Sequence, residues 1–538
     1  MANTRQQNKN TPTRPAFGRQ GMVSSAHPLA TQAGVDILVA GGNAFDAAVS
    51  VAATLNVVEP MMSGIGGYGL VMLYDARKGQ AWFLNCSSRI PASLDSGVFR
   101  APTPGYMENR QGPKSVSTPG NLNAWQAMSE RYGRLGWGQL LDAAIEAADK
   151  GFVISERTAR FIESEFRSFP EHAKIIYGHD GKPLKAGSRL VQTDLARSFR
   201  LIAQQGAAAL YGGELGKAID DAMRESGGFL SLDDLRRDHA EWWRPISIDY
   251  RGSEVTTPSP PANSFGMLLR LGMMGRFNLA ALGHNSVAYL HRYAEVTKHA
   301  YWARLRYAGD PEVQAPPLKM LLAERYWAGE VAKMDPQRAR PFEPPQTFHE
   351  EGGNTTHFVT ADGWGNVVSA TLTLGDLFGS KIMPKGTGFW LNNSLQYCTF
   401  EPKGNPMDAF PGRHKLTIDS PAIILRQGKP WLATGTPGGR GVMQIVPQVI
   451  MNVVDFGMDI QQAIAAARIS FSEPDVIAIE EGVPAAVQQE LAAMGHNIRV
   501  AGGLGNAHGL TIEYGPGGKP VRFAGGADPR GEGAAIGY

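Results

Sequence analysis

Two adjacent threonines, Thr355 and Thr356, follow Gly352-Gly353-Asn354 and open an alternating run, His357-Phe358-Val359-Thr360. A turn, Asp362-Gly363-Trp364-Gly365, and a second β-rich run over residues 367–374 come next. The pattern predicts a hairpin with Thr355 at the tip of its first strand. A hydroxyl in such a place can attack a carbonyl carbon when a base stands beside it. The second group of chemical interest is Gly438-Gly439, in Gly435-Thr436-Pro437-Gly438-Gly439-Arg440-Gly441 ahead of a predicted helix. Successive glycine N–H groups at a helix start make a site for developing negative charge. Neither pattern decides the matter alone, since threonines are common in strands and glycine pairs in plain turns.

The elements that must position these groups can be read from periodicity. Residues 29–40 and 44–56 read as two helices separated by Gly41-Gly42, with Asn43 opening the second. Small residues at Ala47, Ala48, Val51 and Ala52 suit close packing on a sheet. Gly64 to Gly69 fits GxGxxG, but a helix and Pro60 precede it and a strand, residues 70–74, follows. That order is the reverse of a dinucleotide site, so the glycines are read as a structural turn. Residues 81–92 read as a strand ending at Pro91, in which Ser87 and Arg89, two apart, share a face. Helices are predicted over 137–150, 155–168, 193–205, 213–224 and 287–307, and a strand-like stretch over 242–257. His291 and His299 lie eight apart on the long helix, no carboxylate is assigned at metal spacing, and they are read as ordinary histidines. Residues 309–351 read as an exposed segment, rich in Pro and charge, and 398–415 as a polar loop able to act as a lid.

Composition excludes several classes. The 538 residues are 43% hydrophobic and 19% charged, with a net charge of +2. This suits a soluble globular protein and indicates no polyanionic partner such as a nucleic acid. Two cysteines, Cys86 and Cys398, exclude a disulfide framework and a CxxC metal site. Residues 1–18 are polar and basic without an apolar stretch, which predicts a disordered tail rather than a secretory signal. With no run of 18 apolar residues, no membrane span is expected and the protein reads as cytoplasmic.

Read together, the hairpin, the glycine pair, the helical block from His27-Pro28-Leu29-Ala30-Thr31 to Gly42-Asn43-Ala44, Asn392-Asn393, Ser420-Pro421 and the end 527–535 resemble the γ-glutamyltransferase family of N-terminal-nucleophile hydrolases. The resemblance runs from about Gly21 to Tyr538. It implies a four-layer αββα sandwich built jointly by residues 19–354 and 355–538. It implies self-cleavage between Asn354 and Thr355, after which the two fragments stay associated, with pairing into dimers of such units left open. Thr355 then carries both nucleophilic hydroxyl and basic α-amine, whose ordinary pKa near 7.7–8.0 lets it accept a proton at neutral pH. Thr373 would hold the Thr355 hydroxyl, and Gly438 and Gly439 would hold the oxyanion. No cofactor and no metal are implied.

The chain departs from the family pattern at its substrate anchors. Ser87 stands where the family has a carboxylate-binding arginine, and Arg89, two residues on, is either its neighbour in the pocket or an ordinary surface arginine. Tyr397 stands where an aspartate holds an α-amino group. Thr417 and Ile418 replace a serine pair, while Asn392 and Asn393 match. These changes point to a small carboxylate-bearing amide of the oxamate kind. A γ-glutamyl amide such as glutathione is the alternative, and a non-catalytic binding protein on the same fold is the rival of another class.

Overall fold

The computed structural model describes residues 14–100, 108–344 and 354–538. Within these, fourteen strands form two seven-stranded sheets, antiparallel throughout. In chain order they are β1 (Ala16–Gly18), β2 (Gly21–Ser25), β3 (Tyr68–Asp75), β4 (Gln80–Cys86), β5 (Glu241–Trp243), β6 (Ile246–Tyr250), β7 (Ser253–Thr257), β8 (Asn354–Asp362), β9 (Val367–Gly375), β10 (Ala422–Arg426), β11 (Lys429–Gly435), β12 (His508–Tyr514), β13 (Pro520–Ala527) and β14 (Ala534–Gly537). The first sheet runs β14-β2-β8-β9-β3-β4-β5 and the second β1-β13-β12-β11-β10-β7-β6. Both sheets draw strands from either side of the Asn354–Thr355 bond.

Strand alternation sends successive side chains to opposite faces, and the core divides accordingly. Val359, Ala361, Val367, Leu70 and Met72 meet Ile423, Ala433, Leu510 and Phe523 between the sheets. Phe358, Ala370, Leu372 and Leu73 point the other way, onto a helical layer that includes α1 (Pro28–Val39) and α2 (Ala44–Val58). Beyond the second sheet, Ile424 and Leu432 pack on α3 (Phe265–Met274), α4 (Val287–Tyr307) and α5 (Val442–Val454). The result is the αββα sandwich. Helix α2 shows how local sequence builds it: Asn43 and Asp46 form a reciprocal capping box, and every residue of the helix is buried.

Several sequence expectations are corrected. Ala16–Gly18, placed in a disordered tail, is an edge strand paired with β13; residues 1–13 of that tail lie outside the described residues. The strand expected over 81–92 stops at Cys86, so Ser87 and Arg89 do not sit on a regular strand and the same-face argument for them lapses. The stretch 242–257 is three strands, β5 in one sheet and β6–β7 in the other, because a change of sheet within one extended run leaves no mark in its periodicity. The expected exposed segment 309–351 carries two short helices, Leu318–Leu321 and Glu324–Val331; its residues 345–351 lie outside the described residues. Among the described residues no helix is long and apolar enough to cross a membrane.

Candidate active site

Register builds the centre of the site. Thr355 pairs with Thr373 across β8–β9, and Thr373 pairs with Tyr68 across β9–β3. Directly opposed residues share a face, so the three side chains lie side by side on the inner face of the first sheet. The β8–β9 pairing shifts between Asn354 and Thr355, and such irregularities re-aim a side chain at the end of a strand. Thr355 is 5% exposed. Its hydroxyl donates to Thr373 Oγ1 at 3.3 Å, the Gly375 N–H donates to the same oxygen at 2.8 Å, and the Thr373 hydroxyl donates onward to the Asn354 carbonyl at 2.9 Å. One hydroxyl therefore steadies both the attacking oxygen and the carbonyl of the Asn354–Thr355 bond.

The second sheet delivers the glycine pair to this end of the sandwich. Strand β11 ends at Gly435, where a Cβ would lie 2.3 Å from the ring of His357, two residues beyond Thr355 on the same face. His357 is completely buried, shares a hydrogen bond with Thr371 Oγ1 at 2.9 Å, and is held well below its ordinary pKa by burial, with His508 adding to the effect. Three residues later the chain turns through Gly438 (φ +133°) and Gly439 (φ +54°) into a 3-10 turn and α5. Both conformations favour glycine. The turn is braced from the C-terminal end: Asn506 N donates to Thr436 Oγ1 at 3.0 Å and Ala507 N to Asp528 Oδ2 at 2.7 Å. Burial would raise the Asp528 pKa, but Arg468 and Arg530 hold it below the usual range.

The residues read as substrate contacts are placed as follows. Asn392 Nδ2 donates to the Gly66 and Ser117 carbonyls while its oxygen accepts from Ser117 N and Ser394 N. Asn393 bonds the Arg110 carbonyl, Asp376 and Gln396. Both amides thus fix loops around the site. The Ser87 hydroxyl donates to Asn85 Oδ1 at 2.6 Å, and that of Thr417 to Asp419 Oδ2 at 2.9 Å. Arg89 pairs with Glu241 and also donates to the Gly412 carbonyl at 3.1 Å. Glu241 is shared with His414 (2.9 Å) and Trp243 (2.9 Å). Burial would raise its pKa, yet His414 and Arg89 bring it down to about 2. Tyr397 joins Tyr68, Ile418 and Met443 in one buried cluster, which brings the aspartate position and the serine-pair position together beside the nucleophile row.

Sequence reading missed three groups. Lys415 is almost fully buried, with Nζ 4.1 Å from the Tyr68 ring centroid and 5.1 Å from that of Tyr397. Its signal, a lysine inside a polar loop, is indistinguishable from a solvated charge. Glu241 lies one residue ahead of the strand-like stretch 242–257 and carries no local signal of its role. Glu295, four residues after His291 on α4, was overlooked: it, His291 and His496 bring donor atoms within 4.8 Å of one another. Lys298 Nζ stands 3.4 Å from Glu295 and already supplies a cation there.

The chain is similar to known proteins over nearly all of its length. The family model described as Gamma-glutamyltranspeptidase matches residues 30–538. The glutathione hydrolase proenzyme of Bacillus subtilis (strain 168) is 34% identical over 97% of this chain and 92% of the relative. The acylase ACY 1 proenzyme of Pseudomonas sp. (strain SE83) is 35% identical over 91% of this chain and 90% of the relative. Among solved structures, a cephalosporin acylase from Bacillus halodurans superposes with a TM-score of 0.90 at 28% identity, covering 100% of this chain and 99% of that one.

Proposed function

The chain belongs to the gamma-glutamyltranspeptidase family, and from that premise we propose that Thr355, released from Asn354 by self-cleavage, is the nucleophile of an amidohydrolase acting on a small amide with a free carboxylate. The relatives named above are proenzymes. The observation that carries the reading is the pair of hydrogen bonds through Thr373, which set the Thr355 hydroxyl beside the carbonyl it must attack.

In processing, Thr355 Oγ1 adds to the Asn354 carbonyl carbon, the C–N bond breaks, and the Thr355 nitrogen takes the proton. Water then hydrolyses the ester. In turnover, the freed α-amine accepts the hydroxyl proton as Thr355 Oγ1 attacks the substrate amide. The tetrahedral oxyanion sits on the Gly438 and Gly439 amides, and the α-ammonium protonates the departing amine. Water, with its proton passing to the same amine, releases the acid and restores Thr355.

Oxamate is the shortest amide of this class. Tyr397, a neutral group where the resemblance leads one to expect an amine-binding aspartate, favours a substrate without an α-ammonium. A second reading, hydrolysis or transfer of γ-glutamyl groups, is favoured by the 34% identity to a glutathione hydrolase. Side-by-side kcat/KM values for oxamate, other amides with a free carboxylate and a γ-glutamyl anilide separate the two. A tenfold preference for the γ-glutamyl anilide would establish the second reading. Failure of purified protein to cleave itself or any amide would leave a binding protein on this fold.

A further inference from the structure

Away from the glycine turn, three buried side chains bring their donor atoms to one place. His291 and Glu295 stand four apart on α4, on the same face of the helix. His496 comes from the connection between helix Ala485–Ala493 and strand Ile498–Ala501. The donor atoms lie within 4.8 Å of one another, and all three residues are buried. Along α4, about 15 Å of helix separates His291 from Tyr301, whose hydroxyl accepts from Arg440 beside the glycine turn at 2.9 Å. The cluster therefore stands apart from the catalytic groups.

Hydrogen bonding fixes the tautomers. His291 Nε2 lies 2.8 Å from the Asp335 carbonyl oxygen. That oxygen can only accept, so His291 donates there and keeps a lone pair on Nδ1. The lone pair faces His496 Nε2 at 2.8 Å, so His496 carries its proton on Nε2. Its Nδ1 is then a bare lone pair, buried and without a hydrogen-bond partner among the described residues. The protein's own groups thus leave the pair incomplete. Glu295 is held only at long range: the Arg340 N–H is 3.3 Å from each of its oxygens, and Lys298 Nζ is 3.4 Å away. That ammonium also donates to the Arg340 carbonyl at 2.8 Å and pairs with Asp475 at 3.2 Å. One cation therefore faces two carboxylates, and a buried carboxylate calls for full pairing.

We propose that His291 Nδ1, His496 Nε2 and a Glu295 oxygen bind one zinc ion, which clamps together parts of the chain from either side of the Asn354–Thr355 bond. Two imidazoles and a carboxylate are a donor set that zinc favours. A ligating histidine ordinarily donates its other ring N–H to a carbonyl or carboxylate, and the bond from His291 Nε2 to Asp335 is of that kind. Zn–N bonds of about 2.0–2.1 Å at a tetrahedral angle set the two nitrogens about 3.3 Å apart, so the pair needs to open by only about 0.5 Å. On binding, the His496 proton passes from Nε2 to Nδ1 and the ring stays neutral. His291, Glu295 and Asp335 precede the Asn354–Thr355 bond and His496 follows it. The ion thus joins the two fragments where the Ala339 N–H already donates to the Met494 carbonyl at 2.8 Å.

The test uses the purified full chain, stripped with a chelator and dialysed against zinc, beside His496→Gln and Glu295→Gln. Elemental analysis should find one zinc ion per wild-type chain. Cobalt(II) in its place should give the visible absorption of a tetrahedral site. Saturating zinc should raise the melting temperature by about a few degrees, because the ion binds the folded chain. Each variant should lose the cobalt spectrum and bind zinc at least about 100-fold more weakly, since loss of a mere outer partner costs about 10–100-fold. X-ray absorption at the zinc edge needs no variant and should show two imidazole ligands; one or none overturns the proposal. A wild type that takes up no zinc also overturns it, as does equal affinity in both variants, which would place the ion on surface histidines. Zinc uptake with no rise in melting temperature overturns the clamp.

Discussion

The hydroxyl of Thr373 donates to the carbonyl oxygen of Asn354 at 2.9 Å. That carbonyl belongs to the peptide bond preceding the nucleophile, so the contact concerns processing before it concerns turnover. Removing one donor to a developing oxyanion costs on the order of 10²–10³ in rate. Thr373→Val should therefore slow cleavage by about that factor, and Thr373→Ser should restore most of it. Thr355→Ala should remain one chain. Time-resolved gels with N-terminal sequencing check this: the small fragment must begin at Thr355.

The contact of Gly435 with His357 predicts a steric effect with no chemistry in it. A Cβ at Gly435 would approach the buried ring to 2.3 Å, far inside van der Waals distance, and both groups lie between two sheets that cannot separate freely. Gly435→Ala should destabilise by about 1–3 kcal/mol and impair cleavage, since β8 and the glycine turn would be pushed apart. Adding His357→Ala should recover part of the loss. Urea midpoints for the two single variants and the double variant measure the coupling, and simple additivity would show that the ring is not the obstacle.

How much of this was legible in the sequence follows from which signals are local. The hairpin, the capping of α2 and helix α4, found where it was expected over 287–307, rest on residues within a few positions of one another. The glycine turn was visible because its conformation is written into two adjacent residues. The pocket was not. Arg89 and Glu241 are 152 positions apart, and Lys415 and Tyr68 further still, and single-sequence patterns carry no trace of such pairings. The strand expected over 81–92 failed for a related reason: alternation continues past Cys86, but pairing with β3 stops at Gly69–Cys86.

The buried histidines predict how stability depends on pH. Burial pushes His508 down to about 4, with Asp528 opposing and Arg157 and Arg468 reinforcing; burial does the same for His27, also to about 4. Each is neutral in the fold, whereas the unfolded chain takes up a proton near pH 6.5. The unfolded state thus binds more protons between pH 6.5 and 4, and stability falls as pH falls through that window. For His508 alone the loss by pH 5 is about 2 kcal/mol. Denaturant midpoints at pH 7 and pH 5 should show the drop, and His508→Gln should flatten it. A midpoint insensitive to pH over this range would contradict the placement of the ring.

The Gly438 turn carries a chemical prediction. At φ +133° the residue holds a backbone that proline, fixed near −65°, cannot adopt, and proline also lacks the N–H that would face the oxyanion. Gly438→Pro should cost about 3–4 kcal/mol of transition-state stabilisation, seen in kcat rather than KM. Gly438→Ala keeps the N–H but meets the strain of a positive φ, so it should fall between wild type and proline. Fully cleaved Gly438→Pro protein with near-normal kcat would remove this turn from the catalytic machinery.

Arg89 gives the sharpest contrast between sequence and structure. Read as a carboxylate anchor, it should raise KM steeply when removed. Paired with Glu241 and the Gly412 carbonyl, it has a different part: it ties the segment after β4 to β5 and to the loop before His414. Arg89→Met leaves Glu241 its bonds to His414 and Trp243, so the carboxylate is not stranded. The pair is partly open to solvent, with side chains 27% and 18% exposed, and screening limits its worth to about 1 kcal/mol. The variant should therefore lose a little stability and leave the preference for carboxylate-bearing amides in place. Melting temperature and the kcat/KM ratio of charged to neutral amides, measured on the same preparation, decide between the two roles. A collapse of that ratio with stability intact would return Arg89 to the pocket.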